Sequence, residues 1–287
     1  MIYVSIGRKM KQIFIGTFLL FSFITSTTAT EKIEVLWAFN IGSNQANSVR
    51  LILDNANKAQ SKYNFILVPK SGAGGTIAAN TVENQFENTL VAMSSSFIIR
   101  PYFEKDKTIV HNLDNYLPIL VQAEGTPIVA TSKKYNDFNK IDQNDVINIG
   151  VAGIGSLSYF VGNILVNKKL KNAKLINYIG SIDACNAAAG QHINIALGFY
   201  SDCEGLIDSK NLNIIGYTGK KDILNYKNLL FEDLNQITAS YAIFASKKMS
   251  SDKFSEIHVI LSEAQKNQTV IDSYKKDFLT TKFQKLK

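Results

Sequence analysis

Short apolar runs alternate along the chain with stretches in which apolar residues recur every three or four positions. The runs read as strands and the stretches as helices. Ile33–Trp37 predicts a strand. Ser43 then stands as an N-cap before a helix carrying Ala46, Val49, Ile52, Leu53 and Ala56 on one face. Phe65–Val68 predicts a second strand, followed by the loop 71–76 and a short helix, and Thr89–Met93 a third. Leu117–Val121 and Pro127–Thr131 are extended runs interrupted by Glu124, Gly125 and Thr126. A second series opens with the strand Ile147–Val151, a Gly-rich turn, and a helix with Leu157, Phe160, Val161, Ile164 and Leu165 in helical register. Leu175–Tyr178 (strand), Ser181–Ala189 (small-residue helix), Ile193–Leu197 and Leu212–Gly216 (strands) follow. After a loop region at 217–238, Ser240–Ala245 is extended. Phe254, Ile257, Leu261 and Ala264 mark a last helix with a basic tail beyond it.

Strand–helix alternation in two series predicts an α/β protein with mostly parallel sheets. The extended segments near 122–128 and 238–242 are expected to cross between two lobes. The first lobe then holds residues 30–123 and 242–287, and the second 124–241. Ligands of open α/β sheets bind at the carboxyl ends of strands, so two such sheets facing each other form a cleft that can close.

The N-terminus changes the picture. Arg8, Lys9 and Lys11 precede an apolar run, Ile13 to Ile24, too short to span a bilayer. Small polar residues follow, with Thr27 and Ala29 placed as −3 and −1 of a cleavage site. Residues 1–29 therefore read as a signal peptide cut after about Ala29, and the periplasm is the expected location. No later stretch approaches the roughly 18 consecutive apolar residues of a spanning helix. The chain has 287 residues, 46% of them hydrophobic and 19% charged, which excludes collagen-like, low-complexity and wholly disordered classes. Its formal charge of +7 includes the three leader cations, so the remainder gives no footprint for nucleic acid. Export permits a disulfide. Cys185 and Cys203 either pair or stay as two small buried thiols.

Catalytic and metal motifs find little support. Ser71–Thr76 is Gly-rich but lacks the Lys-Ser/Thr of a P-loop, and Gly150–Gly155 spaces its glycines as GxxGxG, not GxGxxG. Gly153-Ile154-Gly155-Ser156 does not fit a nucleophile elbow. His192 reads as a solvent-exposed turn residue. No Cys/His cluster has zinc spacing, and no metal or cofactor is expected. What survives is the physics of Gly-rich turns, which let backbone N–H groups and a helix N-terminus approach an anion.

The order of several motifs makes the mature chain resemble the periplasmic solute receptors of the tripartite tricarboxylate transporters, the Bug family. Trp37-Ala38-Phe39-Asn40-Ile41-Gly42-Ser43, running on to Val49-Arg50, resembles the family's W-P-F-x-x-G-G opening. Ser71-Gly72-Ala73-Gly74-Gly75-Thr76-Ile77-Ala78-Ala79 is similar to P-G-A-G-G-N-I-G-A. Ser94-Ser95-Ser96 resembles the Ser/Thr loop, and Gly150-Val151-Ala152-Gly153-Ile154-Gly155-Ser156 the G-S-A-G-x-G-S/T loop. Tyr178-Ile179-Gly180-Ser181, Gly190-Gln191-His192-Ile193 and Phe199-Tyr200-Ser201-Asp202 resemble three later segments. The resemblance implies a type II periplasmic-binding-protein fold, carboxylate capture between two loops, and delivery to a membrane permease. The chain departs from the pattern at Asn44, Ala46, Tyr159 and Ala187, where the family carries Pro, Asp, His and Asp.

The expected site has two opposed loops, Phe39–Asn44 and Ala152–Ser156, each at a helix N-terminus with roughly half a positive charge. Its candidate residues are Phe39, Asn40, Gly42, Ser43, Asn44, Ser94, Ser95, Ala152, Gly153, Gly155, Ser156, Ser181, Tyr200 and Ser201. Phe39 and Tyr200 are expected as apolar walls, the serines and Asn44 as donors. Arg50 reads as a structural ion pair, and Arg100 has no assignment. Asp183 and Asp202 would repel an anion but accept an amino group, which keeps an amino-acid-like ligand open. The expected partners are a small organic acid and integral membrane permease subunits, with the receptor a monomer and no nucleic acid involved. A sensor component for a membrane signalling protein, an exported enzyme and a receptor that has lost its ligand are the competing readings.

Overall fold

The structure, a computed structural model, describes residues 29–39, 41–72, 75–104, 111–132, 135–142, 144–219, 234, 237–276 and 280–281. The leader and Asn40 therefore lie outside the described residues, as does most of the 217–238 loop.

Two sheets carry the fold. The first contains β1 (Glu31–Trp37), β2 (Tyr63–Pro69), β3 (Thr89–Ser94), β4 (Tyr116–Gly125), β10 (Ala239–Ser246) and β11 (Thr280–Thr281), in the order β11-β4-β10-β3-β1-β2. The second contains β5 (Pro127–Thr131), β6 (Asn148–Val151), β7 (Lys174–Asn177), β8 (Ile195–Phe199) and β9 (Asn213–Tyr217), in the order β7-β6-β8-β5-β9. β1 pairs in parallel with β2 and β3, and β6 with β7 and β8. Each sheet then takes one antiparallel strand near its centre: β10 between β3 and β4, and β5 between β8 and β9. Each of those two strands follows in sequence a strand of the other sheet, β5 after β4 and β10 after β9. The chain passes from β4 to β5 through Thr126 alone, so the expected interruption at Glu124–Thr126 is one long strand running into the next.

Helices cover both faces of each sheet. The face of α1 (Asn44–Ala59) that the 3.6-residue period marks is the buried one, with Ala46, Val49, Ile52, Leu53 and Ala56 all in the first core. α7 (Ser251–Gln265) packs beside it through Ile257, Leu261 and Ala264. α2 (Thr76–Asn84) and α3 (Ser96–Phe103) lie on the opposite face, over Leu36, Val91 and Phe97. Across the second sheet, α4 (Leu157–Lys168) buries Val161 and Leu165 on one side. α5 (Ser181–Ala189) and α6 (Tyr200–Asp208) cover the other, joined by a disulfide between Cys185 and Cys203 with Cα atoms 5.6 Å apart. The cysteine question left open by the sequence is thus decided in favour of pairing.

Three helices escape the periodicity. α3 begins in serines and contains Pro101, and α6 is short and polar with Gly205 in its interior. α8 (Gln268–Lys276) lies in the segment that reads as a basic tail, and it buries Val270 and Tyr274 against the first core. β8 runs to Phe199, two residues beyond the expected Leu197, and α6 follows at once. No helix of the described residues is long and apolar enough to cross a membrane.

Candidate functional site

The carboxyl ends of β1, β3, β6 and β8 converge between the two sheets on a cavity of about 50 Å³. It is lined by Trp37, Phe39, Ser43, Gln45 and Ser94 after the first-sheet strands, and by Ala152, Ser156, Leu157, Ser158, Gly180, Ser181, Ile182, Phe199 and Asp202 after the second, with Tyr241 from β10. A void of that size holds roughly three waters or one carboxylate group.

Four helix N-termini meet there. Ser43 caps α1, its hydroxyl oxygen accepting from the Ala46 N–H at 3.2 Å. Ser156 caps α4 in the same way, accepting from the Tyr159 N–H at 3.0 Å. α5 and α6 start at Gly180 and Phe199 with no side-chain cap, so their first N–H groups are left to other partners. Each end contributes a fraction of a positive charge, and together they favour an anion in the void. Gly153 and Gly155, at φ +80° and +83°, let the β6–α4 loop turn tightly enough to aim α4 inward. Asp202 is the one carboxylate on the cavity wall among the described residues, and no Lys or Arg lines it.

The lobes already touch around this void. Asn44 Nδ2 donates to the Ser201 carbonyl at 2.6 Å, and Gln45 Nε2 donates to Ser201 Oγ at 2.9 Å. The Phe199 and Tyr241 rings meet edge to face with centroids 5.7 Å apart. Leu157, on the first turn of α4, is buried in the core cluster of the first sheet, not the second.

The expected residues divide accordingly. Phe39, Ser43, Ser94, Ala152, Ser156 and Ser181 line the cavity. Asn44 and Ser201 make the interlobe hydrogen bonds and do not face it. Gly42 is exposed, and Gly153 and Gly155 shape the loop from behind. Ser95 lines a different cavity, of about 410 Å³, beside Phe97 and Tyr116. Tyr200 is a core ring over β5 and β8, its hydroxyl donating to Asp208 at 3.4 Å, so the aromatic wall from this segment is Phe199. The shift follows from the strand running two residues further than its apolar core suggests. Arg50 is exposed on α1 and donates to Asn47, not to a carboxylate. His192 is exposed. Trp37 and Gly180, which stand inside the family-like motifs but were not among the candidates, join the wall, as do Gln45, Leu157, Ser158, Ile182 and Tyr241, which had no sequence signal as site residues.

Arg100 has a distinct setting. Its side chain is buried, with 6% of its surface exposed, on α3 of the first lobe. Nη1 donates to Thr76 Oγ1 at 2.7 Å, while Nε has no hydrogen-bond partner. Burial pushes its pKa below the ordinary range, with Glu104 pulling weakly the other way. Its stem lies against Gly155 of the second lobe, where a Cβ would come within 2.5 Å of Arg100 Cδ.

No family model matches the sequence, and no curated protein matches it either. Solved structures do. The periplasmic binding protein BugD is 17% identical with a TM-score of 0.79, covering 88% of each chain. MatC from Rhodopseudomonas palustris with bound malate is 17% identical at 0.75, covering 87% of this chain and 89% of that one. A second R. palustris protein, with adipate, is 12% identical at 0.79, over 88% and 89%. The chain thus has the two-lobed α/β fold of periplasmic binding proteins, the architecture its sequence motifs imply.

Proposed function

We propose that this chain is an extracytoplasmic solute receptor of the Bug type, which captures a small carboxylate between its lobes and hands it to a tripartite tricarboxylate-type permease. The observation that carries the reading is the convergence of four helix N-termini on one void between the sheets. Backbone N–H groups and hydroxyls hold a carboxylate there without any cation, and Phe39, Phe199 and Tyr241 exclude water from it. The likeness to proteins solved with malate and with adipate supports this ligand class. Catalysis lacks a candidate nucleophile–base pair on the cavity wall, which favours a receptor over an enzyme. In this reading residues 1–29 are a leader removed in the periplasm, and the monomer closes as lobe 124–241 swings onto the lobe formed by 30–123 and 242–287. A ligand shifts that equilibrium by its differential contacts with the closed form.

Asp202 favours one further reading, a ligand that carries an amino group beside its carboxylate. The ammonium would face Asp202 while the carboxylate faces α1 and α4.

A thermal-shift screen of the mature protein against di- and tricarboxylates, acidic amino acids and aromatic acids tests both. A ligand at a hundredfold excess over Kd stabilises the folded state by about 2.7 kcal/mol. A shift given by succinate or malate and abolished by Ala152→Trp supports carboxylate capture. A shift given by aspartate alone supports the amino-acid reading. No shift from folded, ligand-stripped protein refutes both.

A further inference from the structure

Arg100 forms no ion pair with any carboxylate of the described residues, yet its guanidinium is buried. Arginine stays charged under any physiological condition, so the buried charge is not relieved by losing a proton. Glu104 acts on it through space without pairing, and a buried cation so placed gains from an anion that seats directly on it. The surroundings offer the room. Arg100 lines a groove of about 490 Å³ between α3 of the first lobe and α4 of the second. That volume falls within the range of small-molecule sites, and it is nearly ten times the void at the strand ends.

The walls specify more than charge. Ile99, Ile154, Phe160 and Ile164 give the groove an apolar body, and Ile154 is 53% exposed at its rim. Phe160 and Ile164 continue the apolar positions of α4 onto a face that neither sheet covers fully. Glu104, on the same wall as Arg100, disfavours a second negative charge on the occupant. Gly155 completes the geometry, because any side chain there would displace the Arg100 stem. Ser156 lies on the walls of both cavities and separates them.

We infer that this groove is a second ligand site, which takes a monocarboxylate with an aromatic or branched apolar body and seats its carboxylate on Arg100. The free N–H groups of the guanidinium donate to the carboxylate oxygens, charge-assisted hydrogen bonds of the kind arginine makes most strongly. The apolar body lies along Phe160 and Ile164. Because the groove has walls from both lobes, its occupant favours the same lobe arrangement as a ligand in the strand-end void. The site shares Ser156 with the void but needs neither Asp202 nor the α1 N-terminus, so it does not depend on the carboxylate capture proposed above.

Titration calorimetry of the mature protein with sodium benzoate tests it, with succinate as the probe of the strand-end void. Benzoate is expected to bind the unaltered protein, to bind Arg100→Gln at least about tenfold more weakly, and to be blocked by Ile164→Trp, which fills the groove and leaves Arg100 in place. Ala152→Trp, aimed at the void, is expected to leave benzoate binding intact. Melting curves confirm that each variant is folded, and Ile164→Trp decides the matter should Arg100→Gln not fold. Failure of benzoate to bind at millimolar concentration overturns the inference. So does binding unaffected by both groove variants, or binding lost in Ala152→Trp alone. Loss of succinate binding with benzoate retained removes the void reading and leaves this one standing.

Discussion

Leu157 offers the sharpest test of how the lobes are held together. It is the first residue of α4, whose later apolar residues Val161 and Leu165 belong to the second-sheet core. Its own side chain is 3% exposed and buried with Trp37, Tyr241 and Ile243 under the first sheet. Leu157→Ala removes three carbons, worth about 0.8 kcal/mol each, or about 2.4 kcal/mol in all. Because the lost contact joins the lobes, the penalty falls on their association and spares each sheet's own core. The ratio of joined to separated molecules should drop by about 60-fold. Spin labels at Lys58→Cys and Lys171→Cys, exposed on α1 and beyond α4, would report the separation by pulsed dipolar spectroscopy. The expected result is a longer, broader distance distribution in the Leu157→Ala background and weaker ligand binding by a similar factor. An unchanged distribution, with the whole 2–5 kcal/mol of an ordinary core truncation appearing in global unfolding, would refute the reasoning.

Reduction of the Cys185–Cys203 bond, which closes a loop with a sequence separation of 18, should cost about 3 kcal/mol by chain entropy and lower Tm by roughly 6–12 °C for a chain of this size. Calorimetry with and without reductant checks this, and an unchanged Tm with both thiols shown free would contradict it. His111 is buried, stacked on Phe97, with Nε2 donating to the Phe97 carbonyl at 2.7 Å. Burial lowers its pKa, Arg100 adds to the lowering and Glu83 opposes it. The folded protein therefore binds this proton less readily than the unfolded chain, and its stability should fall as pH drops below about 6.5; His111→Phe should flatten that part of a Tm-versus-pH curve, and an unflattened curve would count against it. Gly155→Ala, at φ +83° against Arg100, should destabilise by about 1–3 kcal/mol. Gly205→Ala, mid-helix with nothing within 4 Å, should stabilise by about 0.5–1 kcal/mol. Denaturant unfolding of the pair compares them directly, and equal effects would be the wrong outcome.

The fold was legible where one physical signal dominated. α1 announces itself through five apolar residues at helical spacing and a serine cap, and the structure buries each of them. The strands β3 and β6 are apolar runs bounded by polar turns, buried nearly throughout, and β1 buries Ile33, Val35, Leu36 and Trp37 at its apolar end. α6 was not legible, because Ser201, Asp202 and Glu204 give it little apolar periodicity and the disulfide at Cys203 supplies much of its anchoring. That omission moved the aromatic wall by one residue, from Phe199 to Tyr200. Loops at strand ends could be read from their glycines and serines, so Ser43, Ser94 and Ser156 were found. Gln45, Tyr241 and Arg100 could not, since a side chain's meeting with the opposite lobe leaves no local trace. Asn44 and Ser201 stand among the candidate donors that the sequence offers, but the sequence could not say that they would bond to each other across the lobes.

The placement of β10 has a consequence for biosynthesis. It lies between β3 and β4 and is hydrogen-bonded to both, yet it is made more than a hundred residues after either. Until Ser246 has emerged, the slot between β3 and β4 stays open, and only the pairing of β1 with β2 and β3 is available to the first sheet. Such distant pairing slows folding, because loop closure must precede the contacts that reward it. For a polypeptide threaded end-first through a narrow translocation channel, that delay is an advantage. In the export reading proposed above, the N-terminal half stays pliable during transit, and the arrival of β10 sets the moment at which the first sheet can close.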